Sequence, residues 1–159
     1  MKYFIFGIIL IFFTQCGYKP IYSSSKINFE IKSLDLNEKN YFIENKLENL
    51  NTSNPNFFYD LKIISSEKKS ILSKDKAGKP KALRIEINLD VEVKENEKTI
   101  MKKNYINNFD YQNLDKKFEL KKYEGEIRKD ILNRIINRIL IDLTNLKWSL
   151  NLLKQAKLI

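Results

Sequence analysis

The strongest constraint on the fold is a strict alternation of apolar and polar residues between Leu83 and Lys94. Six repeats of period two predict a strand that is buried on one face and hydrated on the other. Such a strand belongs in an antiparallel sheet, and its apolar face must be covered by a second layer. The apolar members are Leu83, Ile85, Ile87, Leu89, Val91 and Val93.

Three further segments are predicted to be strands of the same sheet, because each carries apolar residues on one face. The segment 67–81, which lies between the second strand and the alternating one, is polar and contains Gly78 and Pro80. This composition predicts a long loop or a hairpin tip. The one-sided apolar sets are Ile27, Phe29 and Ile31; Phe57, Tyr59, Leu61 and Ile63; and Met101, Tyr105, Phe109 and Tyr111.

Two segments have the apolar spacing of amphipathic helices. For the first, Asp35 or Asn37 is the predicted N-cap, and the polar cluster 51–56 with its Asn-Pro pair is the predicted end. For the second, Asn113 or Asp115 is the predicted cap. The apolar positions are Leu36, Ile43, Leu47 and Leu50 in the first helix, and Ile127, Ile131, Ile135, Ile139, Leu143 and Leu146 in the second.

The predicted order of elements is therefore β-α-β-β-β-α. A sheet with one apolar face needs a cover, and the two amphipathic helices are the segments that can supply it. We expect an α+β fold, a two-layer sandwich whose four-stranded, mainly antiparallel sheet is covered on one face by two helices. Residues 27–159 are predicted to form this single domain.

The N-terminus has the features of a lipoprotein signal. The apolar run 3–13 is too short to cross a bilayer, which takes about 20 residues, but it fits the apolar region of a secretory signal. Cys16, the only cysteine, follows at the position where bacterial lipoproteins are cleaved and acylated. We predict a signal peptide at 1–15, lipidation of Cys16 and a tether at 16–26. The alternative is an uncleaved signal anchor, since Gln15 departs from the small residue that usually precedes an acylated cysteine.

The chain is basic, with 29 Lys and Arg residues against 20 Asp and Glu residues, and the positive charge is concentrated between Glu67 and Arg84. We propose that these cations contact an anionic lipid or an acidic partner, since Lys and Arg donate charge-assisted hydrogen bonds. The alternative is a hydrated hairpin tip whose lysines discourage edge pairing. The candidate residues are Lys68, Lys69, Lys74, Lys76, Lys79, Lys81 and Arg84.

The composition argues against an enzyme. The chain has no His, which is the commonest general base and metal ligand, and its single Cys is assigned to the anchor. With only four Gly residues it has no glycine-rich phosphate loop. We therefore predict no catalytic residue, no metal and no cofactor. Nucleic acid is not an expected partner either, because an exported chain does not meet it and the sheet lacks interleaved aromatic and basic residues.

The opening of the predicted mature chain, residues 16–22 with the sequence CGYKPIY, resembles the start of LPS-assembly lipoproteins of the LptE family, alphaproteobacterial type. The resemblance continues through the Asn-Pro turn at 54–55, the aromatic strand 58–61 and a strand entered through Arg84. It ends with the segment Tyr105 to Tyr111 before a long helix that carries Tyr123 near its start.

This resemblance implies a two-layer sandwich on a lipoprotein that is anchored to the outer membrane on the periplasmic side. It also implies the function of plugging and helping to assemble the LptD β-barrel, and of assisting lipopolysaccharide delivery to the outer leaflet. The expected partners are an LptD-type barrel, lipopolysaccharide, and the membrane through the acyl anchor. The alternative is an auxiliary or scaffold lipoprotein of another envelope transport complex.

Overall fold

The computed structural model describes residue 27, residues 29–50 and residues 54–156, with side chains to residue 146. The predicted signal peptide at 1–15, Cys16 and the tether at 16–26 lie outside the described residues, so these three remain predictions. The predicted turn residues 51–53 also lie outside them.

The order of the elements confirms the predicted β-α-β-β-β-α arrangement. The strands and helices are β1 (Phe29–Leu36), α1 (Tyr41–Glu48), β2 (Phe57–Lys74), β3 (Pro80–Glu95), β4 (Lys98–Gln112) and α2 (Lys117–Ala156).

The four strands form one sheet in the order β1-β2-β3-β4. β2, β3 and β4 are joined as antiparallel hairpins, whereas β1 is parallel to β2 because α1 carries the chain back between them. The sheet is thus mixed, with two of its three strand pairs antiparallel. At the β3–β4 turn, Asn96 and Glu97 both have positive φ angles, 49° and 65°, as a two-residue hairpin turn of type I′ requires.

The core lies between one face of the sheet and the two helices. All six apolar residues of the alternating strand β3 are buried, which confirms the half-buried strand. In α2 the predicted spine is buried from Ile127 to Leu143, and Leu146 packs against it as a partly buried residue. From α1, Ile43 and Leu47 enter the same core. The fold class is therefore the one predicted, a two-layer α+β sandwich.

The predicted start of the first helix was wrong. Helix α1 begins at Tyr41, and the Asn40 side chain caps it by accepting from the backbone N–H groups of Phe42 and Ile43, at 3.1 and 3.3 Å. Asn37 instead extends the pairing of β1 with β2, because its side-chain oxygen accepts from the backbone N–H of Ser65 at 2.7 Å. Residues that the helical spacing had assigned to α1, such as Leu36, therefore belong to β1 or extend its pairing with β2.

Of the two alternatives predicted for 67–81, the hairpin tip is confirmed and the long loop was wrong. β2 continues to Lys74 and β3 begins at Pro80, which leaves only a short turn. In this turn the Asp75 carboxylate accepts from the backbone N–H groups of Ala77 and Lys79, at 2.9 and 2.8 Å. Side chains are exposed on both faces of this part of β2. The alternation that marks a half-buried strand is consequently absent here, and polarity alone suggested a loop.

Candidate functional site: the basic hairpin and the uncovered sheet face

The seven candidate cations lie on the β2–β3 hairpin rather than on a flexible loop. Lys68, Lys69 and Lys74 belong to β2, Lys81 and Arg84 belong to β3, and Lys76 and Lys79 lie in the turn between them. Because neighbouring residues of a strand point to opposite faces, the charges are divided between the two sides of the ribbon. The structure therefore does not gather all seven on one surface.

Two of the seven cations are engaged in ion pairs within the domain. The Lys69 Nζ donates to the carboxylate of Glu124 on α2. The Arg84 guanidinium donates twice to Asp110 on β4, at 2.6 and 2.9 Å, and this hydrogen bonding holds the pKa of the Asp110 carboxyl below its usual value. These two residues fasten the hairpin to its neighbours, so we assign them a structural role.

The other five candidates are exposed and make no ion pair with the described residues. They are Lys68, Lys74, Lys76, Lys79 and Lys81. Two aliphatic side chains lie among them, Ile71 and Leu72, which are 50% and 44% exposed. We call residues 71–81 the basic tip. Its combination of free ammonium groups and exposed aliphatic side chains suits a ligand that has both negative charge and an apolar part.

A buried carboxylate, Glu124, links the hairpin to α2, and the sequence reasoning missed it. Glu124 is only 8% exposed and accepts from the Tyr111 hydroxyl at 2.7 Å as well as from Lys69. Arg128 lies 3.6 Å from Glu124 and also donates to Glu67 of β2 at 2.7 Å. The position could have been suspected, because Glu124 lies three residues before Ile127 on the apolar stripe of the helix.

The pKa values at this cluster follow from its burial and hydrogen bonds. Burial acts to raise the pKa of Glu124, but hydrogen bonds from Lys69 and Tyr111 outweigh it and hold the pKa below its usual value. Burial raises the pKa of the Tyr111 hydroxyl, and the hydrogen bond to Glu124 raises it further. Glu124 is thus ionised in the fold and serves as an acceptor, which is the behaviour of a structural carboxylate.

A second carboxylate, Asp142, joins α2 to β4 and was also missed. It accepts from the Lys103 ammonium at 2.7 Å and from the Tyr105 hydroxyl at 2.6 Å. Burial raises the pKa of Tyr105, as does its bond to Asp142. Together with Glu124, this contact fixes the helix against the sheet at two separate points.

The sheet face opposite the helices has no covering layer among the described elements and carries a connected set of polar side chains. The Asn104 amide donates to Asn88 and to Asp90, each at 2.6 Å, and Thr99 donates to Glu92 at 2.7 Å. A shallow depression of about 380 Å³ lies over this part of the sheet. We call this surface the uncovered face. Both signs of charge occur on it, as on a surface that contacts water or a polar partner.

Within the described ranges, no three His, Cys, Asp or Glu side chains come together as metal ligands. In the same ranges, neither α1 nor α2 is long and apolar enough to cross a membrane. Two surfaces of the domain carry features that remain to be explained, the basic tip and the uncovered face.

No family model matches the chain, and no curated protein matches it at a significant level. Solved structures do. The rare lipoprotein B from Shewanella oneidensis has a TM-score of 0.58 at 17% identity, covering 75% of this chain and 98% of its own. An uncharacterized lipoprotein B from Nitrosomonas europaea has a TM-score of 0.61 at 15% identity, covering 84% and 94%. A minor lipoprotein from Acinetobacter baumannii has a TM-score of 0.57 at 15% identity, covering 75% and 92%.

These structures are matched over nearly their whole length, so the likeness extends to the complete domain and not to a single motif. At such low identity the likeness establishes the fold. The chain therefore has the fold of the lipoprotein B structures, a two-layer α+β sandwich, as predicted from the sequence.

Proposed function

We propose that this chain is an LptE-type outer-membrane lipoprotein. Acylated Cys16 holds it on the periplasmic side, and its sandwich fills the lumen of an LptD-type β-barrel, helps that barrel to assemble and assists lipopolysaccharide delivery. The observation that carries the proposal is the fold shared with three lipoproteins over 92–98% of their length. The apolar run that ends just before Cys16 supports the anchor independently.

The two ends of the sheet support this placement. β1 begins at Phe29, opposite Phe57, so the chain enters the sheet at the end of β2 that is farthest from the basic tip. At about 3.3 Å per residue, the 18 residues of β2 extend over roughly 55–60 Å. The hydrocarbon core of a bilayer is about 30 Å thick. A domain held at one end by the tether is thus long enough for its basic tip to reach the far end of a barrel lumen.

The uncovered face supports contact with a barrel interior. The inner walls of transmembrane barrels are polar, and the side chains around Asn104 form a polar surface with mixed charge. The few exposed apolar side chains on this face, such as Ile64 and Ile106, are separated by these polar groups. This face is therefore suited to a polar wall rather than to lipid tails.

The basic tip supports contact with lipopolysaccharide, whose phosphates and acyl chains match free lysines beside Ile71 and Leu72. We propose to replace Lys74, Lys76, Lys79 and Lys81 by Glu. The variant should bind lipopolysaccharide more weakly, and the difference should shrink as salt is added. A matched control reverses the charge of four exposed lysines outside the tip that make no ion pair with any residue the structure describes: Lys32, Lys62, Lys98 and Lys129. Equal affinity of the tip variant and the parent at low salt would discard this contact.

The function as a whole is tested by purifying the tagged full chain from its native envelope. Recovery with an outer-membrane barrel, together with acyl groups on Cys16 detected by mass spectrometry, is the expected result. Recovery with an inner-membrane transporter would replace the proposal by the auxiliary role in another transport complex. A Cys16→Ala variant provides the control, because it cannot be acylated and should no longer be recovered with the outer membrane, while its far-UV circular dichroism stays unchanged.

A further inference from the structure

We infer that the outer edge of β4 is a docking site for an extended, acidic polypeptide segment that pairs with it as an additional strand. This inference goes beyond the proposed function, which needs no strand addition and does not depend on it.

The edge of β4 is long and open. β4 has 15 residues and pairs with β3 along its length, while its other side forms no backbone hydrogen bond with any described residue. The opposite edge strand, β1, has only eight residues. Unpaired N–H and C=O groups along an edge are a ready template for another strand. β4 therefore offers the longer of the two edges for backbone pairing.

A groove follows this edge. It has a volume of about 490 Å³ and is lined by the consecutive residues 103–106 of β4 together with Arg138, Ile141 and Asp142 of α2. Consecutive residues of a strand point to opposite faces of the sheet. A cavity that contacts all four of them must accordingly open along the edge itself. A strand added at the usual spacing of about 4.8 Å would lie within this groove.

The exposed apolar side chains at the groove fit the alternation of an added strand. Ile106 is 50% exposed on the uncovered face, and Ile141 is 39% exposed on the helix side. Because the side chains of the added strand would alternate between the two sides, one set would cover Ile106 and the other would cover Ile141. Strand addition thus buries both residues at once, which contact with one face alone would not do.

The charges at the groove select an acidic occupant. Arg138 is exposed and makes no ion pair with the described residues, whereas the charge of Lys103 is balanced by Asp142. Lys98 adds positive charge farther along β4, whereas Lys102 is paired with Glu92 at 3.5 Å. A basic strand would meet like charges, and so would a second copy of this chain. A segment with a carboxylate near Arg138 would gain a charge-assisted hydrogen bond.

The test uses the full chain in detergent and labelled seven-residue peptides, with binding followed by fluorescence anisotropy. The probe peptide alternates valine and glutamate, so that its valines cover Ile106 while the methylene groups of its glutamates lie over Ile141 and their carboxylates face Arg138. One control peptide carries N-methyl groups on its central amides, which removes the backbone donors, and another has lysine in place of glutamate. We expect binding of the first peptide alone, with slower amide hydrogen exchange at residues 103–106.

Arg138→Glu should lower the affinity for the probe peptide about tenfold, because it removes the cation that pairs with the peptide's glutamate and adds a repelling carboxylate. The matched variant is Arg134→Glu, one turn earlier on α2 and paired with Asp130, which should change affinity less than about twofold. Equal binding of the N-methylated or the lysine peptide would overturn the inference. So would equal effects of the two variants, a dimer of the free chain that protects β4, or no binding at about 1 mM peptide.

Discussion

Single residues that join the sheet to the helix determine how firmly the two layers hold together. Tyr111 and Tyr59 are both buried tyrosines on the core face, but they differ in the partner of the hydroxyl. The Tyr111 hydroxyl donates to Glu124, whereas the Tyr59 hydroxyl is buried without a partner among the described residues. Burial raises the pKa of Tyr59 to about 12, and the nearby Glu95 contributes to the rise. The two side chains therefore make a matched pair for measuring the worth of one buried hydrogen bond.

Tyr111→Phe should lower the free energy of unfolding by about 1–2 kcal/mol, because Glu124 loses a donor while it stays buried. Tyr59→Phe should leave it unchanged or raise it by up to about 1 kcal/mol, since it removes a polar atom that is buried without a partner. Urea unfolding followed by circular dichroism measures both. A larger loss for Tyr59→Phe than for Tyr111→Phe would contradict the assignment.

The ionised Glu124 also predicts an acid dependence of stability. Its pKa is lower in the fold than its ordinary value of 4.5, so the folded state binds fewer protons than the unfolded state around that pH. Its contribution is therefore present above about pH 4.5 and is lost as the pH falls through the folded-state pKa. Glu124→Gln should be less stable than the parent at neutral pH by about 1–3 kcal/mol.

The measurement for Glu124→Gln is urea unfolding at a series of pH values, and the gap between variant and parent should close on acidification. Glu119→Gln is the control, because Glu119 is exposed and its one ion pair within the described part of the chain is with the exposed Lys116. It should stay close to the parent at every pH. A gap for Glu124→Gln that widens as the pH falls would show that Glu124 is not held as a carboxylate.

The sequence predicted the buried residues of β3 and α2 because burial there repeats with a local period. It did not predict which of the candidate cations are engaged. Lys69 meets a carboxylate 55 positions away and Arg84 meets one 26 positions away, and no local pattern reports such pairs. The cap of α1 was misplaced for a similar reason, because Asn37 is taken by a contact with Ser65 across two strands.

The hairpin and the long helix differ in what they require of their glycines. Gly78 lies in the β2–β3 turn with a φ of +80°, a conformation that residues with a Cβ atom rarely adopt. Gly125 lies within α2, where an added Cβ would meet nothing within 4 Å. The turn thus needs Gly78 for its backbone geometry. Gly125 only lowers the stability of α2, because glycine is more flexible than alanine in the unfolded chain.

Gly125→Ala should raise the free energy of unfolding by about 0.5–1 kcal/mol, because alanine favours the helix and the site has room for the methyl group. Gly78→Ala should lower it by about 1 kcal/mol through strain at positive φ. Thermal and urea unfolding of the two variants measure the difference. A destabilising Gly125→Ala would mean that this face of α2 is occupied by another part of the chain.

The two ends of the sheet differ: the basic tip lies at one end, and the β3–β4 turn lies at the other, beside the start of β1. Asp60, near the start of β2, pairs with Lys94, whereas Lys74 at its end pairs with Pro80. The order of elements and the two-layer architecture followed from the sequence, because periodic patterns determine both. The extent of the β2–β3 hairpin did not follow from the sequence, since a two-stranded ribbon that is exposed to solvent on both faces shows no periodic apolar pattern.

This difference between the two ends of the sheet predicts where lipopolysaccharide should be captured if the proposed function holds. A photo-crosslinking residue at Ala77, in the tip, should capture lipopolysaccharide in growing cells, because that end lies next to the free lysines and Ile71. The same residue at Asn96, in the β3–β4 turn, is the matched control, because that turn is also exposed but lies roughly 50 Å away along the sheet. Immunoblots of the crosslinked products for lipopolysaccharide measure both yields. Equal yields, or a higher yield at Asn96, would mean that the basic tip is not the end of the domain that contacts lipopolysaccharide. The proposed orientation of the domain within the barrel would then have to be reversed.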